Sequence, residues 1–460
     1  MLKENHQKII LGLSLFLFLA GKFSLLTFRF GDSNAYFYMA DQFWQGVLPY
    51  RDYFLADPPM IVWTLSFFKL WIGENLILLQ AVPFLLDAAS AWLIFRISQK
   101  NHCPLAFLAP ALFLFSFSIL ATSDFVTGVQ LVNFFSLAGI YFFQQDRFKT
   151  SGFFWGLAVL SKLYAVFLLA GFLAALVFQK KFRSIFWLSL GGILAVIIFL
   201  APFFWMAPQA AFEALITHHF NRPGGGNKWT VWIFFLKKEW LGLGLIIFSA
   251  VKFRRPIFFL PPLFLLVFLL FFQDLYYTYF AALIPWLILS AIALAGDWFS
   301  NPKTKDFLPV LGIVWLILAL FGAKQYQTHH LPLGKFSNSR LIADFIRSKD
   351  ESRPIYGSHE VAPLIALLAQ RKLLGNYIDT NPQTFGSQIH DKEKISAEVV
   401  EKKAYLIARI ARREEYGPED VGTEGYLNWE KIKDRCPQAA QFPSSSQEWD
   451  NLIVVYDCSQ

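Results

Sequence analysis

Charged residues are scarce in this chain: Asp, Glu, Lys and Arg make up only 16% of its 460 residues, whereas hydrophobic residues make up 55%. A water-soluble protein cannot hide that much apolar surface, so an ordinary soluble domain is excluded. Cysteine is rarer still, and the three cysteines form no cluster of the metal-binding kind. Cys103 lies in a short loop, whereas Cys436 and Cys458 both lie in the tail and could pair if that tail faces an oxidising compartment.

Long hydrophobic runs are present, but only in the first part of the chain. Runs long enough to span a bilayer recur up to residue 323, and the mean hydropathy of the whole chain is +0.43. Beyond residue 323 charged residues become frequent, and Gly, Pro, Asn and Ser punctuate short elements. We therefore predict a polytopic α-helical transmembrane domain over residues 1–323 and a small extracytoplasmic α/β domain over residues 324–460. Within that tail the pattern predicts helices over residues 339–348, 361–368 and 395–413, and strands over residues 354–356 and 452–456.

The excess of positive charge belongs to the predicted transmembrane domain. Residues 1–323 contain 23 Lys and Arg against 14 Asp and Glu, whereas the rest of the chain contains 18 against 19. The basic residues come in small clusters between apolar runs, which is typical of cytoplasmic loops and not of a nucleic-acid surface. The sequence thus predicts the lipid bilayer, and no nucleic acid, as a partner.

One segment decides the number of spans. Residues 151–179 lie between two basic clusters and are too few for two spans of about 20 residues each. Because a charged lysine inside a span is costly in lipid, we interpret the segment as a short hairpin that breaks near Ser161 and Lys162. The alternative is one long tilted span with Lys162 against a polar neighbour. With the hairpin we predict about eleven transmembrane helices in a multi-pass plasma-membrane protein, with a cytoplasmic N-terminus and an extracytoplasmic tail.

The first outer loop, residues 29–75, is long, acidic and rich in aromatic residues. Apolar residues recur at helical spacing around residues 36–44, and a second helix is predicted over residues 60–71, after Pro58 and Pro59. We interpret both as helices that lie on the membrane surface. A loop that is merely solvated remains the alternative.

Three motifs in this sequence combine glycine, proline, aromatic and charged residues in fixed order. The first is an Asp just after the first span, followed by Gly46-Val47-Leu48-Pro49-Tyr50-Arg51-Asp52-Tyr53-Phe54 and then Pro58-Pro59. The second is Gly152-Phe153-Phe154-Trp155-Gly156-Leu157-Ala158-Val159-Leu160-Ser161-Lys162. The third is Ile342-Ala343-Asp344-Phe345-Ile346 followed by Arg353-Pro354-Ile355-Tyr356-Gly357. These motifs resemble those of the GT-C superfamily of membrane glycosyltransferases, especially the protein mannosyltransferases, the aminoarabinose transferases and the Rgt-type bacterial enzymes. The resemblance covers most of the chain.

The resemblance implies inverting transfer of a sugar from a polyprenyl-phosphate donor to a glycan, lipid or protein acceptor. An acceptor hydroxyl needs a base as it attacks, and a carboxylate can supply one. Asp32 matches the family's catalytic Asp by position, although many members have a second acidic residue where this chain has Ser33. Asp124 matches the Asp that faces it across the cavity. The alternatives are that Asp32 caps the following helix and that Asp124 caps the fourth transmembrane helix.

The leaving lipid phosphate needs cations to stabilise its charge, and Arg is well shaped for phosphate. The candidates for donor phosphate binding are Arg222, Lys162, Lys228 and Arg51. Tyr50, Asp52 and Asp57 are candidates for binding the acceptor or fixing the loop, and Asp52 could also hold Arg51. Asp57 departs from several relatives, which have Lys or His just before the double Pro.

The sequence requires no cofactor, and assistance by a divalent cation is left open. The adjacent pair His218 and His219 favours an interfacial position over a metal site, because helical ligand pairs prefer a spacing of four residues. Two other classes of function are compatible with many spans. The chain could be a transporter or flippase of lipid-linked sugars, with Lys22 and Asp87 as intramembrane charges, or a noncatalytic protein that only binds lipid-linked sugar. The lack of an inverted repeat argues against the transporter.

Overall fold

The computed structural model describes residues 4–73, 75–101, 103, 105–223, 227–250, 256–299, 308–329, 335–411, 425–443 and 451–459. The chain divides into two compact units. The helical unit consists of residues 1–26, 81–202 and 224–331. The mixed unit consists of residues 27–80, 203–223 and 332–460, so it combines the first loop, a short middle segment and the tail.

Up to residue 329 the described elements are helices. The α-helices are α1 (Glu4–Ser24), α2 (Ser33–Phe43), α3 (Met60–Ile72), α4 (Val82–Lys100), α5 (Ala109–Phe115), α6 (Phe117–Thr122), α7 (Val129–Phe143), α8 (Phe148–Ser161), α9 (Ala165–Phe178), α10 (Phe182–Phe199), α11 (Ala201–Met206), α12 (Pro208–Phe212), α13 (His218–Asn221), α14 (Lys228–Ala250), α15 (Pro256–Phe271), α16 (Ile284–Phe299) and α17 (Leu308–His329). Two 3₁₀ helices (Leu76–Ala81 and Tyr277–Ala282) and one π-helix (Glu213–Thr217) interrupt this series.

The tail adds short helices and a sheet. Its elements are α18 (Ser339–Arg347), β1 (Ile355–Gly357), α19 (Ala362–Ala369), α20 (Pro382–Gly386), α21 (Lys392–Glu401), β2 (Tyr405–Ala411), α22 (Trp429–Ile432), β3 (Gln438–Pro443) and β4 (Asn451–Asp457), with 3₁₀ turns at Leu374–Asn376 and Lys433–Arg435. The predicted domain boundary after residue 323 falls inside α17.

Three helices among the described residues are long and apolar enough to cross a bilayer: Asn5–Ser24, Leu76–Lys100 and Phe182–Phe199. Shorter apolar helices accompany them, namely Met60–Ile72, Val129–Phe143, Ala165–Phe178, Pro256–Phe271 and Tyr277–Ala293. Large apolar side chains such as Phe16 and Ile197 are exposed on the long helices, which suits contact with lipid. The predicted count of about eleven spans stays a prediction.

The helix break predicted at Ser161 and Lys162 is confirmed. Helix α8 ends at Ser161, Lys162 has an extended backbone (φ −155°, ψ 132°), and α9 starts at Ala165. The lysine side chain packs over Gly128, where an added Cβ would lie 3.0 Å from its Cε atom. Gly128 also has a positive φ of 83°, so this position favours glycine for two reasons.

Gly152 of the second motif and Gly191 of α10 allow two helices to touch. A Cβ added at Gly152 would lie 1.8 Å from the carbonyl oxygen of Leu188 in α10, and one at Gly191 would lie 1.9 Å from that of Lys149 in α8. No side chain fits at either position, so the backbones of α8 and α10 approach directly, as is typical of small residues between membrane helices. The motif therefore has a packing role.

The apolar run over residues 104–121 is long enough to predict a single span, and a second break divides it. Ser116 has an extended backbone (φ −64°, ψ 146°) between α5 and α6. Glu239 accepts a hydrogen bond of 2.8 Å from the backbone N–H of Ser118 in the first turn of α6. A carboxylate at this position satisfies an N–H group that has no partner within the helix, and it complements the helix dipole.

The mixed unit contains a four-stranded sheet with the order β1-β2-β4-β3. Strand β1 is parallel to β2, and the other pairs are antiparallel. The predicted helix at residues 339–348, strand at 354–356, helix at 361–368 and strand at 452–456 are confirmed to within a residue or two. The predicted α/β character of the tail is therefore correct.

The prediction of one helix over residues 395–413 was wrong. Helix α21 ends at Glu401, Lys403 has a positive φ of 52°, and the chain then enters β2. Strand β2 lies between two neighbours, and Leu406, Ile407 and Ala408 are buried. Burial of consecutive side chains on both faces hides the alternation that reveals a half-exposed strand.

Cys436 and Cys458 form a disulfide that closes a separation of 22 residues. It joins the segment before β3 to the residue after β4, and both cysteines belong to the core of the tail. The pairing that the sequence left open is thus present. Disulfides persist in oxidising compartments.

The first loop packs against the tail within the mixed unit. The Phe336 N–H donates to the Phe28 carbonyl (2.9 Å), and the rings of Phe30 and Phe336 stack at 4.4 Å. The Leu373 N–H donates to the Tyr38 hydroxyl (3.0 Å). Nearly all of α2 is buried, whereas the sequence predicted a helix with one face on the membrane surface.

Candidate functional site

Asp32 lies immediately before α2, and its side chain makes no capping hydrogen bond to that helix. The alternative role as a helix cap is therefore not observed. Its Oδ1 atom lies 3.2 Å from Nε2 of His359, a residue of the segment between β1 and α19. The Asp32 side chain is 57% exposed, whereas the His359 side chain is 12% exposed. This carboxylate is thus oriented by a neighbour and still accessible, as a base requires.

The electrostatic surroundings favour a charged imidazole at His359. Burial alone would lower the pKa of His359, but the hydrogen bond and charge of Asp32, with the charges of Glu360 and Asp379, raise it to about 9. Burial raises the pKa of Asp379, and the charges of Asp32 and Asp57 act in the same direction. Four carboxylates thus act on this small region: Asp32, Asp57, Glu360 and Asp379.

Asp57 belongs to the same acidic region. The Tyr36 hydroxyl donates to its Oδ2 atom (2.6 Å), and the Tyr50 hydroxyl donates to its carbonyl oxygen (2.7 Å). Burial raises the pKa of Tyr36 well above its ordinary value, and the charges of Asp57, Asp32 and Asp379 add to the rise. Tyr36 therefore stays a neutral donor.

Arg51 and Asp52 form an ion pair on the loop (2.7 Å). The Asp52 carboxylate also accepts from the Leu48 N–H (2.7 Å), and Arg51 donates to the Gly46 carbonyl. The hydrogen bond from Arg51 lowers the pKa of Asp52. Of the roles considered for Asp52, the structure shows two: it holds Arg51 and fixes the loop.

The segment that contains Arg222 reaches the turn before the double Pro. Nδ1 of His218 lies 2.7 Å from the Ser387 hydroxyl, and Nε2 of His219 lies 2.8 Å from the Ala56 carbonyl oxygen. Burial lowers the pKa of His218 to about 4, and the charge of Arg222 adds to this lowering while that of Asp57 opposes it. The two histidines thus have different partners, and their interfacial position stays a prediction.

No group of three His, Cys, Asp or Glu side chains that could hold a metal ion occurs among the residues that the structure describes. No chemical step below depends on a metal ion.

Asp124 lies in the helical unit, between α6 and α7. Lys22 donates to its Oδ1 atom (2.9 Å) and Tyr326 donates to its Oδ2 atom (2.7 Å). The side chains of Lys22 and Asp124 are only 3% and 7% exposed, and Lys22 also donates to the Leu120 carbonyl (2.5 Å). Gly128, not Asp124, precedes α7 as its cap residue. Asp124 is therefore one member of a buried network and does not cap that helix.

The other predicted cations of the helical unit lie at helix ends. Lys162 lies between α8 and α9, and Lys228 starts α14, where it donates to the Leu270 carbonyl (3.2 Å). Asp32, Tyr50, Arg51, Asp52, Asp57 and Arg222 all belong to the mixed unit. The prediction that Asp124 faces Asp32 across a cavity stays a prediction.

The predicted site residues did not include Lys22, His359 and Asp379, which belong to these networks. Lys22 was visible in the sequence as a charge inside the first span, and such a charge requires a partner. His359 and Asp379 had no signal, because neither belongs to a motif and both approach Asp32 only through the fold of the tail.

Comparison with known proteins agrees with this architecture. Residues 56–205 match the family of dolichyl-phosphate-mannose-protein mannosyltransferases. The fold is similar to that of ArnT from Cupriavidus metallidurans bound to undecaprenyl phosphate, with a TM-score of 0.59, 14% identity, and coverage of 98% of this chain and 97% of ArnT. The chain has the GT-C fold.

A second GT-C structure is similar over the whole chain. The archaeal oligosaccharyltransferase AglB from Archaeoglobus fulgidus, in complex with an inhibitory peptide and a dolichol-phosphate, has a TM-score of 0.51 and 12% identity. The similarity covers 99% of this chain and 74% of AglB. No curated protein sequence matches the chain. At these identities the similarity establishes the fold alone, and this fold agrees with the predicted helical GT-C architecture.

Proposed function

We propose that this chain is an integral membrane glycosyltransferase. It transfers a sugar from a polyprenyl-phosphate donor to a glycan, lipid or protein acceptor on the outer face of the membrane. The observation that carries the proposal is the accessible Asp32 carboxylate, oriented by His359 at the start of the first loop of a GT-C fold. The ArnT structure contains undecaprenyl phosphate, which supports a lipid-linked donor.

In the proposed reaction Asp32 accepts the proton of an acceptor hydroxyl as the hydroxyl oxygen attacks the anomeric carbon. The bond between that carbon and the phosphate oxygen breaks, and its electron pair stays on the lipid phosphate. The new bond forms on the opposite face of the sugar, so the configuration inverts. Because the leaving phosphate is a stable anion, nearby cations can replace a general acid.

Arg222 is the proposed cation for the donor phosphate. It belongs to the segment whose His219 contacts the Ala56 carbonyl oxygen (2.8 Å), next to Asp57 in the first loop. Its guanidinium can form two parallel hydrogen bonds to one phosphate, whereas a lysine acts as a point charge. Arg51 is already paired with Asp52, so we assign it a lesser role.

Arg222→Ala should weaken binding of the polyprenyl-phosphate donor more than Lys228→Ala does, by about tenfold or more for a lost charged contact. The measurement is titration of purified protein with a polyprenyl-phosphate sugar, with Lys228→Ala as the matched control. Equal and small effects of the two substitutions would remove Arg222 from the donor site.

We propose that the tail is extracytoplasmic and the N-terminus cytoplasmic. The basic clusters support this orientation, and the Cys436–Cys458 disulfide supports an oxidising environment for the tail.

A reporter that is active only outside the cytoplasm should work when fused after Gly334, a position outside the described residues, and should fail when fused after Lys181. The reason is that an even number of spans separates Lys181 from the cytoplasmic N-terminus when residues 151–179 form a hairpin. Immunoblots control for expression of both fusions. Reporter activity after Lys181 would contradict the hairpin as a membrane element.

A further inference from the structure

The segment between β1 and α19 holds His359 in a fixed position. The Asn34 side chain donates to the carbonyl oxygen of Glu360 (2.5 Å), which links the segment to α2. The Glu360 carboxylate pairs with Arg409 of β2, and the Ala362 N–H donates to the Ser358 carbonyl (2.8 Å). Contacts on both sides of His359 therefore tie its backbone to the first loop and to the sheet.

The Asp32 side of the contact is fixed by the same part of the tail. The Arg409 guanidinium lies 4.4 Å from the centre of the Phe30 ring, two residues before Asp32. The ring of Phe30 also stacks on the ring of Phe336. Asp32 follows this anchored residue and precedes the buried helix α2. The two partners of the contact thus belong to one packed region.

We propose that His359 is a positioning residue that orients the Asp32 carboxylate for proton transfer and keeps it ionised. The inference rests on the proposed function and adds a role for the tail, which supplies His359 to the reaction centre. The carboxylate must be held in one rotamer to meet the acceptor hydroxyl, and a charge-assisted hydrogen bond from a buried imidazole provides that restraint.

The charges around His359 agree with this role. Asp32 faces it from the first loop, Glu360 from its own segment and Asp379 from the chain before α20, while Arg409 is paired with Glu360. Nδ1 of His359 is buried and makes no hydrogen bond with the described residues, so the bond to Asp32 dominates the polar contacts of the ring. The raised pKa of His359, about 9, indicates an imidazolium at neutral pH.

The sign of the pH dependence follows from that shift. The His359 pKa is raised above the ordinary value of about 6.5 to about 9. The stabilising interaction of the charged His359 ring with the carboxylates around it is therefore complete below a pH of about 6.5. It is lost as the pH rises through about 9. Activity that needs both the Asp32 carboxylate and the His359 imidazolium should decline on the alkaline side in that range.

The test compares His359→Leu, His359→Gln and the control His390→Gln in the full-length protein. We expect His359→Leu to lower kcat by about 10- to 100-fold, the effect of a lost charge-assisted hydrogen bond, with little change in the donor KM. His359→Gln should recover part of that loss because its amide can donate to Asp32. In both variants the acid limb of the pH profile should move to higher pH and the alkaline limb near 9 should disappear.

A merely structural role predicts a different pattern. A fall in kcat that is equal for Leu and Gln and equal at every pH would overturn the inference, and so would wild-type kinetics in His359→Leu. His390→Gln should keep the wild-type profile, since the ring contacts of His390 are with Phe54, Tyr377 and Phe385.

A second measurement does not depend on transfer activity. NMR of protein labelled at histidine should show one imidazole, absent in His359→Gln, that titrates near 9 in the wild type and below 7 in Asp32→Asn. An unchanged titration in Asp32→Asn would refute the contact. If the wild type transfers no sugar but the titration behaves as expected, the proposed function fails while the contact stands.

Discussion

Asp32→Asn is expected to lower the turnover of sugar transfer by about 10²- to 10⁴-fold, the usual effect of losing a general base. The amide has the shape of the carboxylate and can still contact His359, but it cannot accept the acceptor proton. Donor binding should survive, because the proposed phosphate contact is Arg222. The assay follows radiolabelled sugar from a polyprenyl-phosphate donor, with membranes of cells that lack the gene as the source of acceptor.

The matched control for this experiment is Asp344→Asn. Asp344 is an exposed carboxylate of α18 in the same unit, paired with Arg347, and its loss should leave turnover unchanged. Size-exclusion chromatography in detergent checks that all variants are folded. Full turnover in a folded Asp32→Asn protein would refute the role of Asp32 as the base.

Lys22→Met is expected to destabilise the helical unit by about 3–5 kcal/mol, because it leaves the carboxylate of Asp124 buried without its charged partner. Methionine preserves the length and the apolar part of the lysine side chain, so the effect reports the charge and its hydrogen bonds. The measurement is the midpoint of thermal denaturation of purified protein in detergent.

The double substitution Lys22→Met with Asp124→Leu should recover part of this loss, since no unpaired charge remains. Lys8→Met is the control, because Lys8 is exposed on the same helix. If Lys22→Met denatures at the same temperature as the wild type, the Lys22 and Asp124 contact contributes nothing, and another role for Lys22 must be sought.

Elements with local signals could be predicted from the sequence. A lysine inside an apolar segment marked the break between α8 and α9, and the double Pro marked the start of α3. Helices α18 and α19 and strand β4 followed from short apolar patterns between polar residues. Each of these signals lies within about ten residues of the element that it predicts.

Elements that depend on distant partners could not be predicted. Strand β2 is buried on both faces by the rest of the tail, so its pattern resembled an extension of α21. Lys22 and Asp124 are separated by 102 positions, and no local pattern links them. The contact between His359 and Asp32 is likewise a product of the folded mixed unit. Asp32 itself was identified by resemblance, and the sequence held no information about its partner.

The intramembrane charges that favoured a transporter have partners in the structure. Lys22 contacts Asp124 and Tyr326, and Asp87 accepts a hydrogen bond of 2.7 Å from Ser123. Such charges can stabilise a helical unit without conducting a solute, so they no longer favour transport over sugar transfer.

The most direct test of the account is mass spectrometry of cell-envelope glycans with and without the gene. We expect that one glycan loses a single sugar residue in the deletion strain, that its polyprenyl-phosphate donor accumulates, and that the wild-type gene reverses both changes. Glycan profiles that are identical in the two strains, under conditions in which the protein is produced in the parent, would contradict the claim that this chain is a glycosyltransferase.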